Sequence, residues 1–534
     1  MRASVFGVAN FVRSNLIVAS GTACSRATGL LRVIVLAYVI GQNALSDAYK
    51  LANETPNIVY DLIIGGVLSA TLVPVFTSLI VQERRNDDNE RGFHAVVSAS
   101  LLASAALAAV AVVLAPVIFR LYSLNTAASV DAETFRTAGT MLTRLFVIQV
   151  LFYGVTGVMT AVLHASRRFL AAAWAPVASN LVIIATLLTL PEAGSTTWEL
   201  SDISTNSRLY LTLGLGATGG IALMAIITTG AALRGPIALK WHFDLQHPAV
   251  RRVAKMSGWT LGFVVANQVA LVVIRNLADP GSSLASAYFD AFMFFVLPHG
   301  LLAVSIATTL QPELARAVSE NRPERFTTLI KSGIRAIVAL TAPASVGLIV
   351  IGPTAIASLM QRGQFDAVAA DNTSRALAGL AIGLTGFSVY LFTLRGFYAH
   401  ADTKTPFMLN VGENGLNVIL AVVFVGPLGV FGLGLSLGVA YVVSALVGIA
   451  VLRRKYATNL GLSAITRESA TLGLAAIIAG LCTWGVMSAL NADSWTGNSG
   501  ILGAVAMSIL LLALYGGFAS ALKVNLRAVF TLGD

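Results

Sequence analysis

Long apolar runs recur along the whole chain, and they constrain its fold more than any other feature of the sequence. A helix that crosses a bilayer needs about 20 predominantly apolar residues, and we count about fourteen such runs. We therefore predict an all-α integral membrane protein. The predicted spans lie near residues 10–40, 46–80, 93–122, 136–163, 170–190, 208–232, 253–277, 283–310, 327–360, 371–399, 406–426, 430–452, 469–491 and 499–522.

The composition excludes several classes of function. Hydrophobic residues make up 56% of the chain and charged residues only 11%, whereas a soluble domain carries about 25% charged residues. A water-soluble enzyme, a disordered chain and a DNA-binding protein with a solvated basic face are therefore excluded. In so apolar a chain, we interpret the net charge of +10 as a topology signal and not as a sign of nucleic-acid binding.

The basic residues are concentrated in alternate loops. One set of loops carries almost all of the Lys and Arg residues, from Arg84 and Arg91 through Arg251 and Arg252 to Lys523. The other set carries acidic residues and almost no basic ones. By the positive-inside rule, this bias predicts a multi-pass protein with both termini in the cytoplasm, and it supports the number fourteen.

Two distant stretches of the sequence resemble each other, which predicts two similar halves. Residues 45–49 (LSDAY) recur as 284–288 (LASAY), and residues 70–74 (ATLVP) recur as 308–312 (TTLQP). Six spans separate the two copies, so we predict parallel repeats about an axis normal to the membrane; chance similarity is the alternative. The predicted divisions are an N-terminal lobe (1–232, spans one to six), a C-terminal lobe that opens with a cytoplasmic linker (233–456, spans seven to twelve), and spans thirteen and fourteen with a short cytoplasmic tail (457–534).

Two arginines inside the first predicted span point to an anionic partner. Ionisable groups near the bilayer centre are costly and usually face a cavity. Arg26 and Arg32 suit phosphate, because a guanidinium binds its oxygens in a bidentate manner; snorkelling to the interface is the alternative reading. A straight helix would not align two residues six positions apart, so we predict a bend at residues 25–29 that turns both toward one lumen.

Further charged residues lie in later spans. Asp47, Lys50 and Glu54 lie in the second span, where Lys50 and Glu54 are i,i+4 neighbours that either neutralise each other or face the lumen. Asp290 lies in the eighth span and Glu413 in the eleventh. These two acids either hold a coupling cation or balance the arginines, and both alternatives stay open at this stage.

The sequence favours a transporter over an enzyme. It contains no Walker A motif and no HExxH motif. Cys24 and Cys482 both lie in apolar runs and predict neither a disulfide framework nor a metal site. We therefore expect no cofactor, and we expect a cation gradient or the membrane potential to drive transport.

Motifs in order along nearly the whole chain resemble those of the MurJ/MviN lipid II flippases, a family of the multidrug/oligosaccharidyl-lipid/polysaccharide (MOP) exporter superfamily. Residues 25–32 (SRATGLLR) resemble the family motif S-R-x-x-G-x-x-R. The resemblance continues with Ser46-Asp47-Ala48, Pro56-Asn57, residues 65–74, Arg168-Phe169, Ala175-Pro176, Asn180, residues 362–365 (RGQF), Gly396-Phe397-Tyr398, residues 402–406 (DTKTP) and Gly432-Leu433.

The resemblance implies a flippase of the bacterial inner (plasma) membrane. Family members have fourteen helices in two lobes around a cationic cavity, and by alternating access they move lipid II, the undecaprenyl-diphosphate-linked peptidoglycan precursor, to the outer leaflet. The expected partners are lipid II, membrane lipids and cell-wall synthesis or division proteins. The candidate substrate-binding residues are Arg26, Arg32, Asp47, Lys50, Glu54, Asn57, Tyr60 and Asp290.

The chain departs from the family pattern at three positions. Val33 stands where an acid often follows the second arginine, while Tyr60 and Met293 stand where arginines are usual. These departures affect the substrate contacts more than the fold. The alternatives are a flippase for another polyprenyl-linked glycan, a MATE-like antiporter, or a membrane scaffold for cell-wall synthesis that transports nothing. Some actinobacterial members carry a cytoplasmic extension, so we expect a short member or the transmembrane portion of a longer one.

Overall fold

Helices provide all of the regular structure in the residues that the structure describes. The computed structural model describes residues 2–61, 72–73, 75–77, 87–235, 240–456, 461–522 and 524. No strand occurs within these ranges, which confirms the predicted all-α class.

The helices follow the predicted spans. They are α1 (Arg2–Ile40), α2 (Ala44–Asp61), α3 (Asp87–Tyr122), α4 (Ala132–Phe146), α5 (Gln149–Ala165), α6 (Leu170–Leu188), α7 (Ser207–Leu233), α8 (Pro248–Leu277), α9 (Leu284–Pro298), α10 (Val304–Ser319), α11 (Pro323–Val350), α12 (Gly352–Met360), α13 (Ala367–Ile382), α14 (Leu384–Ala399), α15 (Lys404–Lys455), α16 (Leu462–Ala489) and α17 (Gly497–Ala521). A π-helical turn, His299–Ala303, joins α9 to α10.

Ten helical stretches within the described residues are long and apolar enough to cross a membrane, and one bent pair adds an eleventh. The bent pair is α13 and α14, which meet at an angle of 48° and together match the predicted span 371–399. Because α15 counts as one stretch and residues 62–71 lie outside the described ranges, the number fourteen stays a prediction.

The 52-residue α15 is a hairpin of two helices and not one long helix. Its backbone leaves the helical region at Gly429, where φ is 58° and ψ is −138°, a conformation that is essentially restricted to glycine. The Ser436 hydroxyl donates to Asn417 Oδ1 over 3.0 Å, although 19 helical residues would span about 28 Å. The two arms therefore fold back on each other, in agreement with the separate spans predicted at 406–426 and 430–452.

The chain divides into two compact units. The first unit comprises Met1–Gln268 and Pro280–Ser282, and the second comprises Val269–Asp279 and Ser283–Asp534. Helix α8 contributes residues to both units, so the boundary between them falls inside this helix. The predicted division into three parts stays a prediction.

Each unit has its own buried core. In the first unit, Phe76 and Phe93 are fully buried with ring centroids 5.1 Å apart, and they pack with Val158 of α5. In the second unit, the Tyr515 hydroxyl donates to the Ala339 carbonyl over 2.9 Å. This hydrogen bond joins α17, the last described helix, to α11.

The repeat predicted from the sequence has local structural counterparts in the two units. Tyr49 and Tyr288 close the matched pentapeptides and are 5% and 4% exposed, respectively. The turn between α5 and α6 has Arg167 at φ 56°, and the turn between α14 and α15 has Ala401 at φ 55°. Of the second matched stretch, residues 70, 71 and 74 lie outside the described residues.

Many large apolar side chains of the long helices point away from the protein. Val113 of α3 is 77% exposed, Ile226 of α7 is 67% exposed and Leu502 of α17 is 72% exposed. Such surfaces are unfavourable in water, but they match the apolar interior of a bilayer. The exposed helix faces therefore support the assignment of these helices as membrane spans.

Small residues allow α13 and α14 to pack closely against the second arm of α15. A Cβ on Gly379 would lie 2.6 Å from the backbone nitrogen of Leu435, and a Cβ on Gly383 would overlap the Cα of Gly438. Membrane helices commonly associate through such small residues at four-residue spacing. These glycines therefore set the distance between the packed helices.

Replacing Gly383 with alanine is expected to reduce the amount of folded protein and to lower its melting temperature. The added methyl group overlaps backbone atoms that cannot move aside, and overpacking of this kind costs about 1–3 kcal/mol. Gly412→Ala is the matched control, because no atom lies within 4 Å of an added Cβ there. Thermal unfolding in detergent measures the difference, and equal melting temperatures for both variants would contradict the packing argument.

Candidate functional site

Arg26 and Arg32 both lie inside an apolar helix that is long enough to cross the membrane. The candidate span runs from Ser20 to Ile40 within α1, and only 22% of its most apolar window is buried by the rest of the chain. Arg26 is exposed and Arg32 is half-buried. Arg32 lies eight residues before the helix ends at Ile40, or about 12 Å along the helix axis.

One face of α1 is fixed against α6. A Cβ on Gly21 would lie 2.8 Å from the carbonyl oxygen of Ala173, so only glycine allows this approach. Ser25 and Thr28 lie one and two turns after Gly21 on α1. The buried Asn180 side chain of α6 donates to the Ser25 carbonyl over 3.3 Å and to the Thr28 hydroxyl over 3.1 Å. Gly21 and the polar residues Ser25 and Thr28 of the arginine motif therefore position α1.

The arginines are presented from this anchored helix. They stand about 120° apart on a straight helix, and α1 is unbroken from Arg2 to Ile40. The Thr28 hydroxyl also donates to the Cys24 carbonyl over 2.8 Å, a contact that tends to bend helices. The predicted bend at residues 25–29 stays a prediction.

Tyr49 closes the LSDAY repeat on α2, and its side chain is 5% exposed. Its ring packs edge-on against Phe146 of α4, with centroids 5.1 Å apart. The start of α2 is therefore fixed against α4.

Two of the predicted substrate contacts are engaged in hydrogen bonds within the first unit. Asp47 is fully buried, and one of its carboxylate oxygens accepts the backbone N–H of Gly281 over 2.9 Å. Asn57 Oδ1 accepts the Tyr153 hydroxyl over 3.1 Å. Both contacts tie segments of the fold together, and a direct role in substrate binding stays a prediction for both residues.

The remaining predicted contacts are distributed between the two units. Lys50 and Glu54 lie one turn apart on α2 and are half-buried. The side chain of Tyr60 lies outside the described residues. Asp290 belongs to the second unit and is 1% exposed, one turn after the fully buried Ser286. The grouping of all eight residues therefore stays a prediction.

Arg275 is a candidate that sequence reasoning missed. It lies in the last turn of α8 and is 5% exposed, and its guanidinium carbon is 3.5 Å from the centroid of the Phe289 ring on α9. Met293, where the family usually has an arginine, lies one turn further along α9. One feature of the sequence could have identified it: Arg275 is a basic residue at the end of span seven, next to a set of loops that otherwise lack basic residues.

Glu413 lies in a cluster of buried oxygen atoms in the second unit. It is 3% exposed, and its Oε1 has no hydrogen-bond partner among the described residues. Asn410, one turn earlier, and Tyr390 of α14 are also buried and carry side-chain oxygens without a partner there. Tyr390 lies on α14, which packs against α15, and its ring centroid is 5.8 Å from that of Tyr441. Neutral oxygens around one carboxyl suit a proton or a monovalent cation.

The described residues contain no group of three His, Cys, Asp or Glu side chains that could hold a metal ion. The segment Gly434–Gly438 has the G-x-S-x-G spacing of a nucleophile elbow. It lies inside a helix, however, and its Ser436 is fully buried and bonded to Asn417. This serine is therefore part of the helix packing.

Two ionic contacts join elements of the second unit. Arg335 of α11 pairs with Glu468 of α16 over 2.7 Å, a partner that the sequence did not indicate. In the DTKTP motif, Asp402 accepts hydrogen bonds from Lys455 over 2.6 Å, from the Thr405 hydroxyl over 2.6 Å and from the Tyr456 hydroxyl over 3.1 Å. Burial opposes ionisation of Asp402, but these hydrogen bonds outweigh it and hold the pKa of the carboxyl well below its usual value.

The Asp402 network is expected to stabilise the protein at neutral pH and to weaken in acid. Because the folded pKa is lower than the unfolded value near 3.8, the stabilisation is present above about pH 4 and is lost as the pH falls further. Asp402→Asn should therefore lower stability at pH 7 by about 1.5 kcal/mol, the lower end for a charged hydrogen bond, since Lys455 is 46% exposed. Thermal unfolding of the wild type and of Asp402→Asn at pH 7 and pH 3 measures this, with the exposed Asp371→Asn as control. If Asp402→Asn destabilised the protein as much at pH 3 as at pH 7, the result would contradict the mechanism.

Similarity to solved structures defines the fold. The fold is similar to a solved "Lipid II flippase MurJ, inward closed conformation", with a TM-score of 0.76 and 20% identity, covering 96% of this chain and 100% of that chain. It is also similar to an inward-facing multidrug resistance MATE family transporter of the MOP superfamily, with a TM-score of 0.64 and 14% identity, covering 82% and 96% of the two chains. The chain therefore shares its fold with these two solved structures.

Sequence similarity defines the family. The sequence profile of the family "Lipid II flippase MurJ" matches residues 36–505. The chain is 30% identical to a lipid II flippase MurJ of Burkholderia cenocepacia over 91% of this chain and 92% of that protein. It is 25% identical to a probable lipid II flippase MurJ of Rhizobium meliloti over 98% and 94% of the two chains. The chain belongs to the MurJ lipid II flippase family, which confirms the resemblance seen in the motifs.

Proposed function

We propose that this protein is a transporter that moves lipid II from the inner to the outer leaflet of the bacterial inner membrane by alternating access. The observation that carries the proposal is the pair Arg26 and Arg32 on the apolar helix α1, in a chain whose family profile covers residues 36–505. A diphosphate that crosses a membrane needs fixed counter-charges, because burying an unpaired anion is costly. The two guanidinium groups supply them.

The other predicted contacts have supporting roles in this proposal. Lys50 and Glu54 lie one turn apart on α2 and would extend the polar surface of the site along this helix. Asp47 fixes the 280–282 segment. Arg275 supplies a guanidinium next to α9, where the family arginine is replaced by Met293.

The energy source proposed for the cycle is a proton or monovalent cation at Glu413. An unpaired carboxylate inside the membrane is unfavourable, so Glu413 is either protonated or neutralised by a cation. The unpartnered oxygens of Asn410 and Tyr390 support this role, because they offer neutral ligands around a single charge. Binding and release at this site would bias one lobe conformation over the other.

Depletion of the protein tests the proposed function directly. In cells where this chain is the only flippase, its depletion is expected to raise total lipid II while less of it becomes accessible at the outer surface. A membrane scaffold, the alternative from another class, would leave accessibility unchanged as long as the synthesis enzymes are present. Unchanged accessibility after depletion would contradict the lipid II assignment, and loss of accessibility of a different polyprenyl-linked glycan would favour the other alternative.

The proposed orientation places both termini in the cytoplasm. A reporter fused after Arg454, within the basic run 453–455, should therefore read cytoplasmic. A reporter inserted near Thr197, between the acidic Glu192 and Glu199, should read external. Alkaline phosphatase and green fluorescent protein fusions at the two sites measure this, and identical readings at both sites would contradict the topology.

A further inference from the structure

We propose that residues 240–245, in the connection between α7 and α8, form a membrane-interface anchor that inserts one apolar edge into an anionic lipid surface. The edge consists of Trp241, Phe243 and Leu245, which are 67%, 51% and 54% exposed. This segment has no part in the transport site described above. Its proposed occupant is the headgroup region of the bilayer.

The exposed side chains alternate with half-buried ones. Residues 240–244 are not helical, and His242 and Asp244 are half-buried while their neighbours at 241, 243 and 245 are exposed. In an extended segment, alternate side chains point to opposite sides. The segment therefore has a polar inner edge and an apolar outer edge.

The inner edge is fixed to the start of α3. The backbone N–H of Lys240 donates to His94 Nδ1 over 3.3 Å, and that of His242 donates to the Ser98 hydroxyl over 3.0 Å. The Lys240 ammonium group pairs with Glu90 over 2.9 Å. Because these bonds hold the backbone against α3, the three apolar side chains are held facing outward.

The position of the segment places it at the membrane surface. Helix α7 is a candidate span that ends at Leu233, seven residues before the segment begins. Helix α8 begins at Pro248, three residues after Leu245. Tryptophan and other aromatic residues concentrate at this depth, because their rings are amphipathic and tolerate the headgroup region.

The charges around the segment are complementary to anionic lipid. Between residues 234 and 255 the sequence has five basic residues and one acidic residue, Asp244. The basic residues outside the ion pair with Glu90 are all exposed; they are Arg234, Arg251, Arg252 and Lys255. Asp244 accepts the backbone N–H groups of Gln246 and His247 over 2.9 and 3.1 Å. Basic residues next to an apolar edge are the combination that binds anionic membranes.

Site-specific fluorescence tests the anchor. The background is the full chain with Cys24 and Cys482 replaced by serine. In this background Trp241→Cys is labelled with the fluorophore NBD. The matched control is Gln246→Cys, an exposed polar position on the same connection, labelled in the same way. The protein is reconstituted in vesicles of phosphatidylcholine with or without phosphatidylglycerol. Brominated lipids report insertion into the bilayer, and aqueous iodide reports contact with water.

The anchor predicts opposite behaviour at the two positions. Label 241 should be quenched by brominated lipid, protected from iodide and blue-shifted relative to label 246, and the protection should increase with phosphatidylglycerol. Quenching of both labels by iodide and of neither by brominated lipid would overturn the proposal. Protection of label 241 from both quenchers would also overturn it, because a protein surface and not lipid would then cover the edge.

Discussion

Alanine at Arg26 or at Arg32 is expected to abolish lipid II export while leaving the protein in the membrane. In the proposed mechanism each guanidinium group supplies charge-assisted hydrogen bonds to the diphosphate. Loss of one such bond costs about 1.5–3 kcal/mol, or about one to two orders of magnitude in affinity. Folding should be little affected, because Arg26 is exposed and α1 is anchored by other residues, Gly21 and Asn180. Growth complementation as the only copy, measured together with membrane abundance and outer-leaflet lipid II, tests this expectation.

A matched control and a conservative variant sharpen the arginine test. Arg120 is an exposed arginine near the end of the apolar helix α3, so Arg120→Ala removes a comparable charge away from α1 and should complement growth. Lysine at position 26 or 32 should be partly active, since it keeps the charge but loses the planar fork that binds two oxygens at once. Normal abundance and wild-type export by both alanine variants would contradict the cationic mechanism.

The sequence was sufficient to predict the helices and the break in α15, because apolar runs and glycine-proline breaks are local signals. Residues 426–429 (GPLG) end one apolar run and begin the next, and the structure has its non-helical residue at Gly429. The arginine motif could also be identified from the sequence, because charged residues inside an apolar run stand out. The role of Gly21, four residues before that motif, could not be predicted, because its contact with Ala173 depends on how two distant helices pack.

The other contacts that the sequence did not predict join residues that are far apart in the chain. An apolar span has little difference between its faces, so its sequence does not reveal which side is buried. Asp47 was predicted as a substrate contact from its place in span two, but its hydrogen bond to Gly281 depends on a loop 234 residues away. Arg275 was overlooked because a basic residue at a helix end looks like an interfacial one, and only the fold shows its contact with Phe289.

Replacing Glu413 with glutamine is expected to uncouple transport from its driving ion without destabilising the protein. Glutamine keeps the shape of the side chain and removes the charge, so it can neither release a proton nor neutralise a bound cation. Transport of lipid II into proteoliposomes should then lose its dependence on an imposed proton or sodium gradient, while wild-type protein keeps it. Glu313→Gln, an exposed acid in the same unit, should leave that dependence unchanged.

Stability separates this role of Glu413 from a structural one. If the carboxyl only held helices together, its replacement would lower the melting temperature, as removal of one partner from a buried polar pair usually does. Glu413 Oε1 has no partner among the described residues, so glutamine should leave the melting temperature unchanged or raise it, because no buried carboxyl then has to stay neutral. A buried group that lowers stability yet is required for gradient-driven transport is retained for its function. A lower melting temperature with an intact gradient response would contradict this argument.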